Sequence, residues 1–349
     1  MTRYDVAVVG AGPAGSIFAR ELARQNPKLH ILLVDGSGKC GDKPCGGLLA
    51  PSAQKQLALL GVALPKSLLC SPQPERVETI DLCLNRSRAY RKNYINADRA
   101  AFDKFLLSLV PQTVEVLNAR LERAQKTADG FQLSFDGGKT AFAAYLVGAD
   151  GANSTVRKSV GAPACPQYVS IQEYYAAVDG NFPAYSCVFD PLTSPSCSWT
   201  IEKDGVFIFG GAFEKAGCAK AFEKQKQRLQ AFLGCRFGEP IHKKACLLNN
   251  PRAKKHIVLG FDGAFLLGEA AGLITADSFE GISGALASAR ALATAFSARK
   301  NFKQILRAYQ KGMRGLKRKY AWRFIKRKLL WSPFIRALIL KSGVKSVKK

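Results

Sequence analysis

Val6-Ala7-Val8-Val9-Gly10-Ala11-Gly12-Pro13-Ala14-Gly15 is the stretch that decides the fold. The apolar run from Val6 to Val9 predicts a buried strand, Pro13 to Gln25 a helix, and Ile31-Leu32-Leu33-Val34 a second strand ending in Asp35. Strand, glycine turn, helix and strand in this order make a dinucleotide-binding unit. Gly10 allows the tight turn, Gly12 lets a pyrophosphate approach the backbone, and Gly15 lets the helix pack close to the strand. The helix N-terminus then faces the phosphates with free N–H groups and a partial positive charge. Asp35 lies 20 residues after Gly15, where a carboxylate can accept hydrogen bonds from the adenosine ribose 2′-OH and 3′-OH. An acidic residue there argues against a 2′-phosphate, so the nucleotide is expected to be FAD or NAD and not NADP.

At 349 residues the chain exceeds the usual size of one domain, and one large or two intertwined domains are expected. Hydrophobic residues make up 47% and aromatics 10%, enough for a substantial core. The charge is one-sided, with 52 Lys+Arg against 26 Asp+Glu and a net of +26. Such an excess points to nucleic acid, an anionic membrane surface or a polyanionic ligand. Its distribution narrows the choice: residues 301–349 hold 16 of the cations and no Asp or Glu, leaving +10 on the first 300. Ten cysteines occur, yet a buried-type strand begins within about five residues of Met1, so no signal peptide is expected. Reduced thiols in a cytosolic compartment follow from that, rather than disulfides. No apolar run reaches the ~18 residues that span a bilayer. The longest, Leu329 to Leu340, is interrupted by Pro333 and Arg336.

Beyond Asp35 the pattern predicts a glycine-rich loop from Gly36 to Gly47, a helix from Ala50 to Leu60, and two strands within 77–95 around a turn at Asn85 to Ser87. Asp98 is placed to cap a helix reaching Leu109, with Phe102, Phe105, Leu106 and Leu109 on one face. Extended segments follow from Val114, with turns at Asp129-Gly130 and Asp136-Gly137-Gly138 and a last strand from Ala144 to Val147. Residues 168–213 are strand-rich and aromatic and predict a mixed sheet. A helix is expected over 219–233, short buried strands at Ile257 to Leu259 and Phe265 to Leu267, and a long helix after Gly281.

Two further glycine turns stand out. Val147-Gly148-Ala149-Asp150-Gly151-Ala152-Asn153-Ser154 reads as a strand running into a loop and a helix start. Phe265-Leu266-Leu267-Gly268-Glu269-Ala270-Ala271-Gly272 repeats the design and is followed by Ser278-Phe279-Glu280-Gly281-Ile282. Either alone fits an ordinary turn; in this order, after the first unit, they are far more specific. The set resembles the flavoprotein hydroxylase superfamily, with its N-terminal GxGxxG, middle DG and late GD motifs. Within it the chain is similar to the geranylgeranyl reductase family of FAD-dependent oxidoreductases, and most to the short bacterial CbrA-type branch. The residues that carry this are Lys43-Pro44-Cys45-Gly46-Gly47, the Gly268-Glu269-Ala270-Ala271-Gly272 and Glu280-Gly281-Ile282 pair, and Cys197-Ser198-Trp199-Thr200-Ile201-Glu202-Lys203. The last stretch matches in spacing the family's Tyr-x-Trp-x-Phe-Pro-Lys substrate motif, and the resemblance covers essentially the whole chain.

The resemblance implies an α/β fold: a Rossmann-like FAD-binding domain of the glutathione-reductase-2 type, an inserted mixed-sheet substrate domain and a helical C-terminal tail. Residues 1–75, 96–160 and 255–300 would form the discontinuous FAD-binding domain, 76–95 and 161–254 the substrate sheet, and 301–349 the basic tail. It implies that Gly10, Gly12, Ala14, Gly15 and Asp35 hold the ADP half of FAD and that Gly46, Gly47, Gly151 and Gly268 belong to the cofactor site. Asp150 and Glu269 would flank the cofactor, Glu269 standing where the family has an aspartate. Amides around Gly281 and Ile282 would face the pyrimidine edge of the flavin and stabilise the charge that develops there on reduction. Arg99 matches a family arginine near the phosphate and ribityl region; read alone, it also fits a surface ion pair with Asp103, four residues on. Cys45 matches a family cysteine beside the flavin ring; read alone, it also fits a small loop hydrophobe. Trp199 joins Cys45 as a catalytic-site candidate lining an apolar slot, or else fills a sheet core. Cys197 and Glu202 replace the motif's Tyr and Pro, which questions the substrate more than the cofactor. Cys40 and Cys45 lack CxxC spacing and paired histidines, so no metal site is expected. His30, His242 and His256 are scattered, which disfavours hydrolase chemistry.

In the tail, Phe302 to Arg327 is helix-compatible, and Trp322, Phe324, Ile325, Leu329, Leu330 and Trp331 sit among Arg323, Lys326, Arg327 and Lys328. This mixture suits an interfacial helix on anionic lipid, where each nearby cation adds roughly 1 kcal/mol. It also suits a helix whose apolar face caps the core. Nucleic acid is disfavoured because no recognised binding module is present. The resemblance therefore implies an FAD-dependent oxidoreductase, geranylgeranyl reductase-like, that reduces carbon-carbon double bonds of a prenyl lipid of geranylgeranyl or polyprenyl phosphate type. Its electron donor would be NADPH or a small electron carrier, and its location cytoplasmic, peripheral on the inner face of the membrane. Two alternatives stand beside it: an FAD-dependent monooxygenase hydroxylating an apolar or aromatic substrate, and a membrane-associated flavin-binding protein with a binding or sensing role.

Overall fold

β1 (Thr2–Val9) is the centre of the parallel part of an eight-stranded sheet, and its last four residues, Val6 to Val9, are buried, as parallel strands covered by helices are. The computed structural model describes residues 1–36, 44–176, 178, 182–297, 301–344 and 346–347. Lys43, Cys40 and most of the expected Gly36 to Gly47 loop lie outside the described residues. After β1 come α1 (Pro13–Gln25), β2 (Ile31–Val34), β3 (Leu48–Leu49), α2 (Pro51–Leu59), β4 (Arg76–Asp81), β5 (Arg86–Arg91), β6 (Ile95–Asn96) and α3 (Arg99–Ser108). Asp98 caps α3, accepting from the Ala101 amide at 2.9 Å. Then follow β7 (Val114–Leu117), β8 (Leu121–Lys126), β9 (Phe131–Phe135), β10 (Thr140–Gly148), α4 (Thr155–Ser159), β11 (Gln167–Tyr175), β12 (Tyr185–Phe189), β13 (Ser198–Lys203), β14 (Val206–Phe213), α5 (Cys218–Leu233) and β15 (His242–Asn249). The chain ends in β16 (Gly260–Phe261), β17 (Ala264–Leu266), α6 (Ile282–Phe296), α7 (Phe302–Gly312), α8 (Arg314–Leu330) and α9 (Pro333–Ser342).

The parallel strands lie in the order β17-β10-β1-β2-β7, the 3-2-1-4-5 arrangement of a dinucleotide fold read from the other edge. Register does the rest. Val9 pairs with Val34 and Gly148, and Gly148 pairs with Leu266. Four strands therefore end level, and the turns after them open at one edge of the sheet, where doubly wound folds bind ligands. α1 and α6 cover one face together, with the Phe18 and Phe296 rings packed edge to face at 5.8 Å.

The second sheet has the order β15-β11-β14-β13-β12-β4-β5; β12 and β4 are parallel and the other neighbours antiparallel. Its strands come from 76–91 and 167–249. Period-2 alternation splits its side chains between two faces. Phe209 and Phe213 face α5 and meet Phe222, while Ser198 hydrogen-bonds Gln225 of α5 at 2.6 Å. Tyr185, Trp199 and Ile201 point the other way, toward the strand ends of the first sheet. The aromatic stretch thus does two jobs: part fills the core under α5 and part forms the wall of a cavity.

Three sequence expectations are corrected. Ile257 and Leu259 are buried and Val258 half-buried, but the stretch is not a strand; the strand is Gly260–Phe261, joined to β17 through Asp262-Gly263, both with positive φ. That Asp-Gly pair is a two-residue hairpin signal the sequence reading passed over. The tail is not one helix from Phe302 to Arg327, because it breaks at Met313 between α7 and α8. Asn85, with φ 50°, turns β4 into β5, but Ser87 already belongs to β5.

Candidate active site

Gly10 has φ +107°, and a Cβ on it would stand 2.5 Å from the Ala149 carbonyl oxygen, so the first and second glycine turns touch where only hydrogen fits. A Cβ on Gly15 would collide with the Gly10 carbonyl, which keeps α1 close to β1. Gly12 differs, with nothing within 4 Å of where its Cβ would sit and an open face toward a cavity of about 730 Å³. The size suits a cofactor or an extended ligand.

This cavity brings together Gly10, Gly12, Ala14, Asp35, Cys45, Gly46, Gly47, Arg99, Asp150, Gly151, Trp199, Glu269, Gly281 and Ile282. Gly15 and Gly268 stand behind its wall. Gly268, at φ +51°, gives its amide to Ser288 at 3.0 Å and would touch the Ala14 Cβ at 3.0 Å if it bore one, so it sits at the junction of α1 and α6.

Two helices start at this cavity. α1 and α6 have glycine N-caps, Gly12 and Gly281, with no side-chain cap and no acidic residue in the first turn. Their leading amides and partial positive charge face the cavity from two sides. Asp35, buried at the end of β2, also borders it. An open glycine face, two uncapped helix starts and a carboxylate at the strand end fit a dinucleotide with a pyrophosphate at α1, and a second electron-rich group at α6.

Arg99 does pair with Asp103, through Nε–Oδ1 at 2.8 Å and Nη2–Oδ2 at 3.0 Å, but not at the surface. Asp103 is 3% exposed, and both residues line the cavity. Burial pushes the Cys45 thiol up, yet the neighbouring Arg99 guanidinium and a hydrogen bond at the Gly47 amide outweigh it and hold the thiol below its ordinary value. Burial works against the Arg99 charge too, and Asp103 together with Cys45 more than restores it. Cys45 is thus the sulfur end of a Cys-Arg-Asp line, half-buried at Cys45 and Arg99 and buried at Asp103.

Asp150 is turned into the α4 N-terminus, accepting from Ser154 Oγ at 2.5 Å and the Val156 amide at 3.1 Å, while Ser154 accepts from Arg157. Burial raises its pKa against those donors. Glu269 accepts from the Asn249 amide at 2.9 Å and so ties the third turn to the end of β15. Lys203 of the Trp199 segment does not border the cavity; it donates to Ala97 O at 2.5 Å behind Gly47, where burial lowers its pKa. Trp199 lies over Gly210, where a Cβ would meet its indole.

Sequence reading missed a second polar pair. Tyr94 donates to Glu280 Oε1 at 2.7 Å, and its ring stands edge-on to Tyr185 at 5.2 Å. Burial is the first cause that raises the Tyr94 pKa, and the Glu280 carboxylate adds to it. Tyr185 in turn reaches Cys187 Sγ at 3.1 Å. Glu280 is signalled by its place before Gly281, whereas Tyr94 precedes a two-residue strand and carries no local signal. Phe279 also lines the cavity, with φ 52°, a conformation bulky residues avoid unless their surroundings impose it. Arg157, also missed, binds the carbonyls of Pro163, His256 and Ala270 and fastens the second turn to the third.

No family profile matches the chain. It is 39% identical to protein CbrA of Escherichia coli over 99% of its own length and 98% of that protein. Among solved structures it is similar to a geranylgeranyl bacteriochlorophyll reductase-like protein from Thermoplasma acidophilum, with TM-score 0.82 and 18% identity over 97% of this chain and 90% of that one. A probable FAD-dependent monooxygenase from Pseudomonas aeruginosa follows, with TM-score 0.73 and 16% identity over 97% and 100%. These likenesses show the Rossmann-type flavoprotein fold. With nearly its full length aligned to CbrA at that identity, the chain belongs to the CbrA family.

Proposed function

We propose that this protein is an FAD-dependent oxidoreductase that reduces carbon-carbon double bonds in an isoprenoid chain, a geranylgeranyl or polyprenyl phosphate type of lipid. The observation that carries it is the continuity of one cavity between the glycine turns and the wall of Tyr185, Trp199, Ile201, Leu248 and Ile274. Bound FAD supplies the hydride when reduced. The chain's own residues do the rest. Gly12 and the start of α1 take the pyrophosphate, Asp35 the ribose, and the first amides of α6 the pyrimidine edge.

An isolated alkene has no carbonyl to hold charge, so the second carbon must be protonated as the first receives hydride. Cys45 is suited to this. Its S–H gives the proton to carbon, and the thiolate left behind is held by Arg99 and the Gly47 amide, with Asp103 fixing Arg99. The apolar wall excludes water that would otherwise compete for the proton. The reductant that recharges the cofactor would be NADPH or a small electron carrier. A second reading, hydroxylation by a monooxygenase, is favoured by the aromatic rings of Tyr94, Tyr185 and Trp199, which fit a flat ring as well as a prenyl unit.

An anaerobic single turnover separates the two. The enzyme's flavin is photoreduced, a polyprenyl phosphate is added, and the absorbance and the lipid mass are followed. Reoxidation with two hydrogens gained per turnover supports the reductase. Reduced protein that ignores the lipid, but with oxygen yields an oxygenated product, overturns it in favour of the monooxygenase.

A further inference from the structure

α8 has two opposite faces. Inward lie Tyr320, buried against Gly284, and Leu316 and Phe324, which pack on the main core. Two arginines on the same side fix its rotation. Arg323 Nη1 meets both oxygens of Asp277 at 2.9 Å, and Arg327 reaches Asn250 Oδ1 at 2.7 Å and Tyr168 Oη at 2.8 Å. The outward side presents Trp322, Ile325 and Leu329, spaced i, i+3, i+7 and 71%, 51% and 49% exposed. On α9 Phe334 and Leu338 repeat the pattern at 72% and 52%, while Arg336 and Leu340 turn inward. Single exposed apolar residues are ordinary, but a stripe of them on a helix held in this rotation is not.

The charge around the stripe selects what covers it. Arg318, Lys319 and Lys328 flank it on α8, and the segment from 301 to 349 has no acidic residue. Among the described residues its ion pairs go to Asp277 and Asp81, from inward-turned arginines and Lys326. A second copy of the chain would set one cationic tail against another, which disfavours self-association. Apolar side chains between cations match the boundary between acyl chains and anionic headgroups. We propose that the outer face of α8 and α9 docks on an anionic lipid bilayer, with Trp322, Ile325 and Leu329 inserted and Arg318, Lys319 and Lys328 at headgroup level. The same helix is bolted through Asp277 to the segment whose next residue, Ser278, lines the cavity, so docking holds the site at the lipid surface.

The test is flotation of the full-length protein with phosphatidylcholine vesicles, with and without phosphatidylglycerol. It uses neither substrate nor turnover, so its outcome is independent of the proposed reaction. The expected result is binding that needs the anionic lipid and weakens at least about tenfold in a Trp322→Ser/Ile325→Ser/Leu329→Ser variant of unchanged melting temperature. A Lys319→Gln/Lys328→Gln variant is expected to keep the stripe yet bind the anionic vesicles more weakly at low salt, with a flatter loss of affinity as salt rises than the wild type shows. Equal flotation of wild type and the triple-serine variant, equal binding to neutral vesicles, or a dimer abolished by the triple change without vesicle binding would each overturn the proposal.

Discussion

Cys45 gains its chemistry from a neighbour. Burial alone would make its thiol a poorer acid, and the Arg99 guanidinium reverses that. Because the proposed step needs S–H, the single-turnover rate is expected to be flat at low pH and to fall as pH rises through a thiol value below the ordinary one. In an Arg99→Gln variant only the Gly47 amide still works against burial, the thiol value rises, and the falling limb moves to higher pH. A pH–rate profile checks this, and an unmoved limb would remove Cys45 as the acid. How far such residues are legible in sequence depends on what identifies them. Cys45 stands out between Pro44 and two glycines. The Arg99–Asp103 pair follows from i, i+4 spacing, but its burial does not, since that is set by walls from distant parts of the chain. Tyr94 is legible only in three dimensions, because its partner Glu280 is 186 residues away.

At the scale of elements, the starts of α1 and α6 hold the logic of the site. Both were readable, α1 because glycines placed directly after an apolar strand mark a turn into a helix, and α6 because a long helix-forming run follows Gly281. Asp150 was readable in part: it lines the cavity, as its type suggests, while its carboxylate also accepts from Ser154 and Val156 at the start of α4, which only the folded chain shows. Ile282 is the first residue of α6, a position where proline is tolerated and only the N–H is lost. Gly281, at φ −107° and ψ −27°, spares a following proline the clash with a Cβ, and a small rise in its ψ relieves the crowding at its N–H. An Ile282→Pro variant is therefore expected to fold and bind the cofactor, with a more negative flavin midpoint potential, because the charged reduced form loses a donor. Dye-equilibration measurements check it, and an unchanged potential would detach α6 from the cofactor's electronics.

Across the whole molecule the basic tail acts as a strap. It runs from the first sheet, where Tyr309 donates to Leu266 O at 3.0 Å, to the second, where Arg336 Nε meets Asp81 Oδ2 at 2.5 Å. Both side chains of that pair are nearly inaccessible, at 4% and 0%. Removing one partner of a buried pair costs about 3–5 kcal/mol, so Arg336→Met is expected to lower the melting temperature sharply, and Asp81→Leu in the same chain to recover part of the loss. Composition showed the tail's charge but not its division into inward bolts and an outward face, because that depends on where Asp277, Asn250 and Asp81 lie in the folded chain. Three glycine turns, far apart in sequence, build one site for FAD. The most direct measurement is to denature the purified protein after titration with FAD and quantify what it had retained. One FAD retained per chain is expected; a protein that carries no flavin and takes none up would show that the three turns do not form such a site.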